Sequence, residues 1–399
     1  MRILWVMKKQ LDTALDRTVR LEMMRALDRI GHEVTFVTGY RYRQDDFGMG
    51  DRIRYLRSSR LPLVNHVLFS ADVSRMLPRL AVALQPDAVI LDAWTIRAGA
   101  RWIKQLRRAE GSRPLIVADV RTLPVGFSGL KKLAAEWFFT SGIGEISRLC
   151  DCVSVITECM RETLVERYGL TATLPHAVWT SAVSPEVFDP NRFDDSTRAR
   201  TREELGIPPT AILLMYHGSI TRQRGLGELM DALAGASTAA RDIHLLLVGA
   251  GPDLTGLLDQ AAVNGLEKRV HYVPSVPHDR LPALIDAADV GVLPLPDSVG
   301  WRVSSPIKLF EYLSMAKPVI VTSIAAHREV LGDSSCAFWA GDGSARSLAE
   351  AIGRAAQPPA TTLLHTGSLG RGIALNGFTW DQQAAKLANM LSDCPRRRA

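Results

Sequence analysis

The sequence lacks most features that mark membrane, metal-binding or dinucleotide-binding proteins. No stretch approaches about twenty uninterrupted apolar residues, so no membrane-spanning helix is predicted. The five cysteines show no metal-ligand spacing, and Cys150 and Cys152 have no matching pair elsewhere. We therefore expect core thiols and a reducing, cytoplasmic compartment. Neither half carries G-x-G-x-x-G after its first strand, and no D-x-D occurs, which disfavours a dehydrogenase and a metal-bridged diphosphate.

Composition and charge describe a globular protein with an anionic partner. The chain has 399 residues, 47% hydrophobic and 23% charged, and its length favours two α/β domains of similar size. The net charge of +6 suits nucleic acid, a membrane surface or a phosphorylated substrate. Arginines concentrate in residues 52–60, 97–113 and 396–398, and a solvated surface explains them equally well. No nucleic-acid-binding motif accompanies them, so we expect no nucleic-acid partner.

Short runs rich in β-branched residues alternate with amphipathic segments, which predicts parallel sheets with crossover helices. The runs are apolar almost throughout, as expected for strands covered by helices on both faces. Residues 184–209, rich in charge, Pro and Ser, interrupt the pattern like an interdomain connection. The expected fold class is α/β, with two Rossmann-like doubly wound domains facing a cleft that binds the ligand. The predicted strands are 3–6, 34–38, 88–92, 115–119, 153–157, 211–216, 243–248, 270–273, 290–294, 319–322 and 337–339.

Residues 216–233, YHGSITRQRGLGELMDAL, run from a strand through a loop into a helix. Gly218 permits close backbone approach, and the N-terminus of the helix near residue 225 offers unpaired N–H groups. Arg222 and Arg224 lie where they could hold phosphate oxygens. An ordinary turn with exposed arginines explains the stretch as well. The later turn LLLVGAGP, with Gly249 and Gly251, is a weak signal of the same kind.

Residues 303–323, VSSPIKLFEYLSMAKPVIVTS, predict a helix with functional side chains on one face. Ser304 or Ser305 is expected to cap a helix whose first residue is Pro306. At about 100° per residue, Ser304, Lys308 and Glu311 share a face, running inward from the N-terminus. The alternative is a Lys–Glu pair on a solvated helix. The buried strand that follows directly argues against it.

These motifs resemble family-four retaining glycosyltransferases of the GT-B fold in their order along the chain. Gly218 to Gly225 with Arg224 between them, then VGAGP, then PIKLFEYLSMAKPVI carry the likeness, which is strong in the second half. GHEVTFVT near the N-terminus and FTWDQQAAKL near the C-terminus extend it over most of the chain. The resemblance implies a first domain at 1–190 joined by a returning helix at 379–393, and a nucleotide-sugar-binding domain at 207–378.

The resemblance also implies roles for individual residues. Arg224 would neutralise the donor diphosphate, Glu311 would hold the ribose, and Lys308 would lie beside the phosphates or the sugar. The backbone around Val276 would face the base. Asp119 and Arg121, in DVRTLP, would contact sugar or acceptor, and we group them with Arg224 and Lys308 as catalytic candidates. The residues expected to bind the donor are Gly218, Ser219, Arg224, Gly249, Val276, Ser304, Ser305, Lys308 and Glu311.

The chain departs from the family pattern at three places. The first of the family's two acidic residues is Val303 here, and Ser219 replaces the basic residue that often follows the first glycine. Asp16 and Arg17 stand where the first loop would carry glycines. In retaining members the leaving phosphate accepts the acceptor's proton, so no protein base is required, although His217 and His176 are alternatives. We expect no cofactor and no essential metal, since positive side chains would stabilise the leaving group.

Other functions remain open at this point. An epimerase acting on a nucleotide sugar would share the fold, and a non-catalytic nucleotide-sugar-binding subunit would share the pocket. The acceptor is a glycan, a lipid-linked sugar or a small molecule. Residues 127–146 mix lysines with leucines and aromatics, which suits either a membrane surface or an ordinary covering helix. The expected location is cytoplasmic, with peripheral contact to the inner face of the membrane as an option.

Overall fold

The computed structural model describes residues 1–12, 17–40, 42, 44–57, 59, 61–109, 111–235 and 242–397. Asp16, Arg60 and Arg398, which the sequence analysis singled out by position or cluster, lie outside the described residues. The chain separates into two compact units, one formed by Met1–Thr180 with Trp380–Ala399 and the other by Ser181–Thr379. No helix in the described ranges is long and apolar enough to cross a bilayer.

The first unit contains a seven-stranded, wholly parallel sheet in the order β3-β2-β1-β4-β5-β6-β7. Its strands are β1 (Arg2–Gln10), β2 (Glu33–Gly39), β3 (Ile53–Tyr55), β4 (Ala88–Leu91), β5 (Leu115–Val120), β6 (Cys152–Val155) and β7 (His176–Val178). Its helices are α1 (Arg17–Arg29), α2 (Pro62–Leu84), α3 (Ile96–Arg108), α4 (Gly129–Leu149) and α5 (Glu158–Tyr168), with a 3₁₀ turn at Gly50–Arg52.

The strands predicted from apolar runs are present, and two short ones were missed. Strands β4 and β5 are buried at every position, as expected when helices cover both faces of a sheet. Strands β3 and β7 have three residues each, too few to show a periodic pattern. Strand β3 lies inside the arginine-rich segment 52–60, where only Ile53 is buried among its three residues.

The C-terminal helix α15 (Trp380–Asp393) belongs to the first unit and packs against α1. Trp380 is buried, and the side chain of Gln383 accepts a hydrogen bond from the backbone N–H of Thr180 at 3.0 Å. Arg29 of α1 pairs with Asp381 at 2.6 Å on the surface. The helix therefore returns to the unit that contains the N-terminus, as the family resemblance implied.

The second unit contains a six-stranded parallel sheet in the order β10-β9-β8-β11-β12-β13. Its strands are β8 (Ile212–Ser219), β9 (Ile243–Ala250), β10 (Val270–Val273), β11 (Val290–Leu293), β12 (Val319–Thr322) and β13 (Ala337–Ala340). Its helices are α6 (Asp195–Glu204), α7 (Leu226–Gly235), α8 (Leu254–Val263), α9 (Leu281–Ala287), α10 (Val299–Arg302), α11 (Ile307–Ser314), α12 (Ala325–Leu331), α13 (Ala345–Ala356) and α14 (Ala360–Gly377), with 3₁₀ turns at Pro190–Arg192 and Arg222–Arg224.

The predicted interdomain connection is part of the second unit. Residues 184–209 contain helix α6, and Phe188 is buried in the second unit's core. The buried side chain of Arg202 pairs with Asp289 at 2.6 Å. These contacts explain why the first unit ends at Thr180, short of the boundary at 190 that the sequence suggested. Composition alone hid the change, because a charged helix and a charged linker have similar residue content.

The strand order of the second sheet locates its ligand-binding edge. The chain passes from β8 to β9 and β10 on one side, then crosses to β11, β12 and β13 on the other. In doubly wound sheets, ligands bind outside the carboxyl ends of the strands where the order reverses. The loops that follow β8 and β11 therefore lie at the expected ligand-binding edge.

Candidate active site

Glycines allow the backbone to pack closely where β8 and β9 end. Gly218 has φ 114° and Gly249 has φ 145°, both in the left-handed half of the map that favours glycine. A Cβ at Gly249 would lie 2.0 Å from the carbonyl oxygen of Gly218, and one at Gly251 would lie 1.9 Å from that of Ile220. Gly249 thus packs against the end of β8, and Gly251 packs against the loop that follows it.

The loop after β8 is a 3₁₀ turn that directs one arginine inward. Arg222 is exposed, whereas Arg224 is half-buried and its guanidinium lies 5.0 Å from the ring centroid of Trp301. The indole N–H of Trp301 donates to the carbonyl of Gln223 at 2.7 Å. Gly225 closes the turn with φ 70°, and a Cβ there would lie 1.9 Å from the carbonyl oxygen of Pro294. Trp301 and the β11 loop therefore hold the turn that carries Arg224.

Helix α11 carries Lys308 and Glu311, but its predicted cap is wrong. The helix starts after Pro306, whose backbone is extended, and no side chain caps it. Ser304 instead donates to the carbonyl of Trp301 at 2.8 Å, and Ser305 accepts from the backbone N–H of Ser181 at 3.0 Å. Ser304 therefore lies outside the helix and does not continue the face of Lys308 and Glu311. The helix is buried from Lys308 to Ser314, which excludes the solvated Lys–Glu alternative.

The amino group of Lys308 is buried. Its side chain is 5% exposed, and Nζ lies 4.1 Å from the ring centroid of Tyr216. No hydrogen-bond partner for this Nζ lies among the residues that the structure describes. Burial, reinforced by the charge of Arg224 and opposed by that of Glu311, holds the pKa of Lys308 well below its ordinary value. A buried charge without a partner is costly, so the charged form of this amino group is favoured only when an anion lies beside it.

Glu311 is covered by two histidines. Its Oε1 accepts a hydrogen bond from Nε2 of His278 at 3.1 Å. Its Oε2 lies 3.2 Å from Nε2 of His217, but neither atom is in hydrogen-bond geometry with any described group. Burial alone would raise the pKa of Glu311, yet the His278 hydrogen bond and the charges of His217, His278 and Lys308 hold it below its usual value. The carboxylate is therefore ionised and has one oxygen without a donor.

Tyr312 ties helix α11 to the end of β8. Its hydroxyl accepts from the backbone N–H of His217 at 3.1 Å and donates to the carbonyl of Met215 at 3.0 Å. A Cβ at Gly291 would lie 2.4 Å from the Tyr312 ring, so the small residue on β11 makes room for it. These contacts fix the helix against the strand, and with it the separation of Lys308 and Glu311 from Gly218.

Comparison with known proteins identifies the family. The profile described as Glycosyl transferases group 1 matches residues 211–357, and the Glycosyl transferase 4-like domain matches residues 17–178. The chain belongs to the family-four-like glycosyltransferases of the GT-B fold. It is an enzyme of glycosyl transfer, and the relatives are consistent with a nucleotide-sugar donor.

Individual relatives agree with this assignment. The GDP-mannose-dependent alpha-(1-6)-phosphatidylinositol monomannoside mannosyltransferase of Mycolicibacterium smegmatis is 26% identical, over 79% of this chain and 81% of the relative. The 2-deoxystreptamine glucosyltransferase of Streptomyces kanamyceticus is 27% identical, over 50% of this chain and 52% of the relative. The structure of Anabaena HepE in complex with UDP shares the fold, with a TM-score of 0.75 and 16% identity over 98% of this chain and 100% of that one.

The catalytic candidates in the glycosyltransferase's first unit have structural partners. Asp119, at the end of β5, accepts from Arg20 at 2.7 Å and from the hydroxyl of Ser154 at 2.7 Å. Arg121 donates to the carbonyl of Trp179 at 2.9 Å, and its guanidinium lies 3.4 Å from that residue's ring centroid. Both side chains are buried. Arg121 directly follows β5 and Asp119 lies within it. The sequence missed Arg20, because nothing local marks its distant partner.

The remaining candidates lie around the same edge of the second sheet or apart from it. Ser219 ends β8, and its carbonyl accepts from the hydroxyl of Tyr216 at 2.8 Å. Val276 is half-buried in the loop after β10, and His278 follows in that loop. His278 was missed, because it lies five residues after the end of β10 and no local pattern marks it. His176 lies at the surface of the first unit, with Nε2 4.0 Å from Glu158.

Proposed function

We propose that the second unit binds the nucleoside diphosphate of the sugar donor, with Lys308 as its main anion partner. The observation that supports this most is the buried Nζ of Lys308, which has no partner among the described residues. Arg224 is close enough to lower the pKa of Lys308 by its charge. Two basic side chains lie at the carboxyl edge of a doubly wound sheet, next to glycines whose backbone no side chain covers. This arrangement suits a diphosphate.

Glu311 receives the ribose in this proposal. A carboxylate accepts hydrogen bonds from two neighbouring hydroxyls, and Oε2 of Glu311 has no donor among the residues described. Lys308 and Glu311 lie three residues apart on α11, so one rigid helix would set the spacing of diphosphate and ribose. The fixed helix also limits the reorganisation needed at the moment of reaction.

The chemistry proposed is transfer of a glycosyl group with retention at the anomeric carbon. The bond from that carbon to the diphosphate breaks, and the leaving phosphate oxygen accepts the proton of the attacking hydroxyl. Arg224 and Lys308 stabilise the charge that develops on the diphosphate without an essential metal. His217 is not assigned as a base, because its side chain is buried and its Nε2 faces Glu311.

The named relatives support a choice of donor and acceptor class. One is a GDP-mannose-dependent enzyme that acts on a phosphatidylinositol mannoside, and it covers most of this chain. We propose a hexosyl donor carried by a nucleoside diphosphate, with GDP-mannose as the first candidate, and a polyhydroxylated acceptor that is lipid-linked.

A lipid-linked acceptor suits the surface at the start of helix α4. Leu130 is 84% exposed, Leu133 67% and Trp137 60%, and Lys131 and Lys132 are exposed between them. Apolar side chains next to basic ones fit the interface of an anionic bilayer. We propose that this surface, Leu130 to Trp137, lies on the membrane that holds the acceptor.

Calorimetric titration with GDP, UDP, ADP and dTDP, without added metal, tests the donor site. We expect one diphosphate to bind, and Glu311→Ala or Lys308→Met to weaken it by about tenfold or more, which is about 1.4 kcal/mol. Arg346→Ala is the matched control, since that side chain is 90% exposed on α13 of the same unit. Unchanged affinity in both site variants would show that the site lies elsewhere. NMR of the product formed from the matching sugar donor then reports the anomeric configuration.

Vesicle flotation tests the membrane surface separately. Vesicles with anionic lipid should retain the protein at low salt and release it as salt rises, since screening weakens surface charge pairs. The double variant Leu133→Ser with Trp137→Ser should lose binding. Val263→Ser, at a site 87% exposed in the second unit, should not. Retention of the double variant at wild-type level would overturn this surface.

A further inference from the structure

The carboxylate assigned to the donor ribose is already covered in this structure. Glu311 is 2% exposed, and its free oxygen Oε2 has almost no contact with solvent. Its other oxygen accepts from His278. A ribose hydroxyl therefore cannot reach Glu311 until one of the covering groups moves.

The two histidines over Glu311 differ in how firmly they are held. His217 lies on strand β8, is 6% exposed, and its backbone N–H is bonded to the hydroxyl of Tyr312. The side chain of His278 is 41% exposed and belongs to the loop between β10 and α9. Its ring packs edge-on against Phe188, with centroids 5.1 Å apart. Since His278 is partly exposed and His217 is buried, we expect His278 to be the one that moves away from Glu311.

The hydrogen bond from His278 to Glu311 is of the kind that a ribose hydroxyl would replace. The imidazole N–H and a ribose hydroxyl are each single donors to the same carboxylate, and hydrogen bonds to a charged acceptor are stronger than neutral ones. Binding of the ribose then exchanges one donor for another, and only the difference contributes to affinity. The stronger the histidine bond, the less the enzyme gains from the ribose hydroxyls.

We propose that His278 competes with the donor ribose for Glu311 and so sets how strongly the enzyme distinguishes a ribonucleotide from a nucleotide without ribose hydroxyls. The proposal rests on the proposed function, in which Glu311 is the ribose ligand. His278 is thus a specificity-determining residue that acts through Glu311, and the imidazole leaves the carboxylate when the donor binds.

The test compares GDP with 2′,3′-dideoxy-GDP by calorimetric titration, or the corresponding pair for whichever nucleotide binds. The dideoxy form has no hydroxyl to replace His278, so its affinity should be nearly the same in wild type and in His278→Ala. GDP itself should bind His278→Ala about three- to tenfold more tightly than wild type. The dissociation constant of the dideoxy form divided by that of GDP should therefore be larger in His278→Ala than in wild type, by the same factor.

Three further variants separate competition from other roles. His278→Gln keeps an N–H donor for Glu311 and should restore a ratio near that of wild type. His365→Ala removes an exposed histidine from α14 and should change neither ligand's affinity. Glu311→Ala should bring the ratio near unity, because it removes the carboxylate that accepts hydrogen bonds from the ribose hydroxyls. Thermal unfolding of each variant verifies that it is folded.

The outcomes distinguish failure of this proposal from failure of the donor site. If Glu311→Ala leaves GDP affinity and the ratio unchanged, the ribose assignment is wrong, and the role of His278 fails with it. If Glu311→Ala brings the ratio near unity but His278→Ala has the ratio of wild type, the donor site stands and the competition is refuted. If His278→Ala weakens GDP, the histidine is a ligand of the nucleotide and does not compete with it.

Discussion

Lys308 occupies the space that a side chain at Gly218 would need. A Cβ on Gly218 would lie 3.2 Å from Nζ of Lys308 and 3.5 Å from its Cε. Gly218 also has φ 114°, a conformation that residues with a side chain rarely adopt. Position 218 therefore requires glycine for two independent reasons, one from the backbone and one from the neighbouring ammonium.

The variant Gly218→Ala should be damaged in both stability and ligand binding. Backbone strain should lower the free energy of unfolding by about 1–3 kcal/mol. The methyl group should displace Nζ and weaken nucleoside diphosphate binding by about tenfold. Urea unfolding and calorimetric titration measure the two effects. Gly353→Ala is the control, since it lies in helix α13 with nothing within 4 Å of an added Cβ; a wild-type affinity in Gly218→Ala would refute the displacement of Lys308.

Most of the fold could be predicted from the sequence because parallel strands covered on both faces consist of continuous apolar runs. Strands β10 and β12 were predicted to the residue. Three-residue strands such as β3 leave no such pattern, and their pairing with a longer neighbour decides their existence. The boundary between the units could not be predicted from composition either, since it depends on the packing of Phe188 and Arg202 in the second unit.

The candidate site could be predicted only where its residues are close in sequence. Lys308 and Glu311 are neighbours on one helix, so spacing alone brought them together. The contact of His278 with Glu311 joins residues separated by 33 positions, and no local pattern reports it. The same holds for Arg20 and Asp119, separated by 99 positions. Long-range partners decide whether a polar side chain is available, and that information lies in the packing.

The two arginines of the loop after β8 should contribute unequally to donor binding. Arg224 is half-buried beside Trp301 and near the hydroxyl of Tyr216, whereas Arg222 is exposed. Arg224→Ala should weaken the nucleoside diphosphate by about tenfold or more, and Arg222→Ala by less than about threefold. Calorimetric titration of the two variants in parallel measures the difference. Equal losses would mean that the loop contributes only general positive charge.

Nucleotide binding should be accompanied by proton uptake at Lys308. In the free protein the pKa of Lys308 is lowered, chiefly by burial, so its proton is lost at a lower pH than usual. A bound diphosphate favours the charged form and raises the pKa, so affinity should fall as pH rises through the free-state pKa. Titration in buffers of different ionisation enthalpy, repeated at several pH values at which the protein is folded, measures the uptake. Lys308→Met should show none, and a wild-type protein without uptake would contradict the assignment.

His327 should make the protein less stable in acid. It is fully buried in helix α12 and bonded to the carbonyl of Thr322, and burial lowers the pKa of His327 to about 4. The unfolded chain binds the proton near pH 6.5, so stability is complete above that value and falls as pH drops towards 4. The loss should reach about 3 kcal/mol. His217, with its pKa lowered to about 4 by burial, acts in the same direction.

The variant His327→Asn isolates this contribution. Its amide can keep the hydrogen bond to Thr322 but does not titrate. The loss of unfolding free energy in acid should therefore become smaller by the contribution of one titrating group. Urea unfolding at steps from about pH 4 to 7 measures the slope. His365→Ala should keep the wild-type slope, since that side chain is exposed. An unchanged slope in His327→Asn would mean that His327 is protonated in the folded state.

We expect replacement of Asp119 to lower the stability of the fold. Its carboxylate is fully buried and joins Arg20 at 2.7 Å, and the guanidinium of Arg20 lies over the rings of Trp5 and Trp179. Asp119→Ala removes the carboxylate that pairs with the buried guanidinium of Arg20, which should cost about 3–5 kcal/mol of unfolding free energy. The double variant Arg20→Met with Asp119→Leu should recover much of that loss, because apolar replacements of a buried pair are often tolerated. Denaturant unfolding of single and double variants measures the coupling. An Asp119→Ala protein with wild-type stability but no turnover would instead assign the carboxylate to sugar or acceptor.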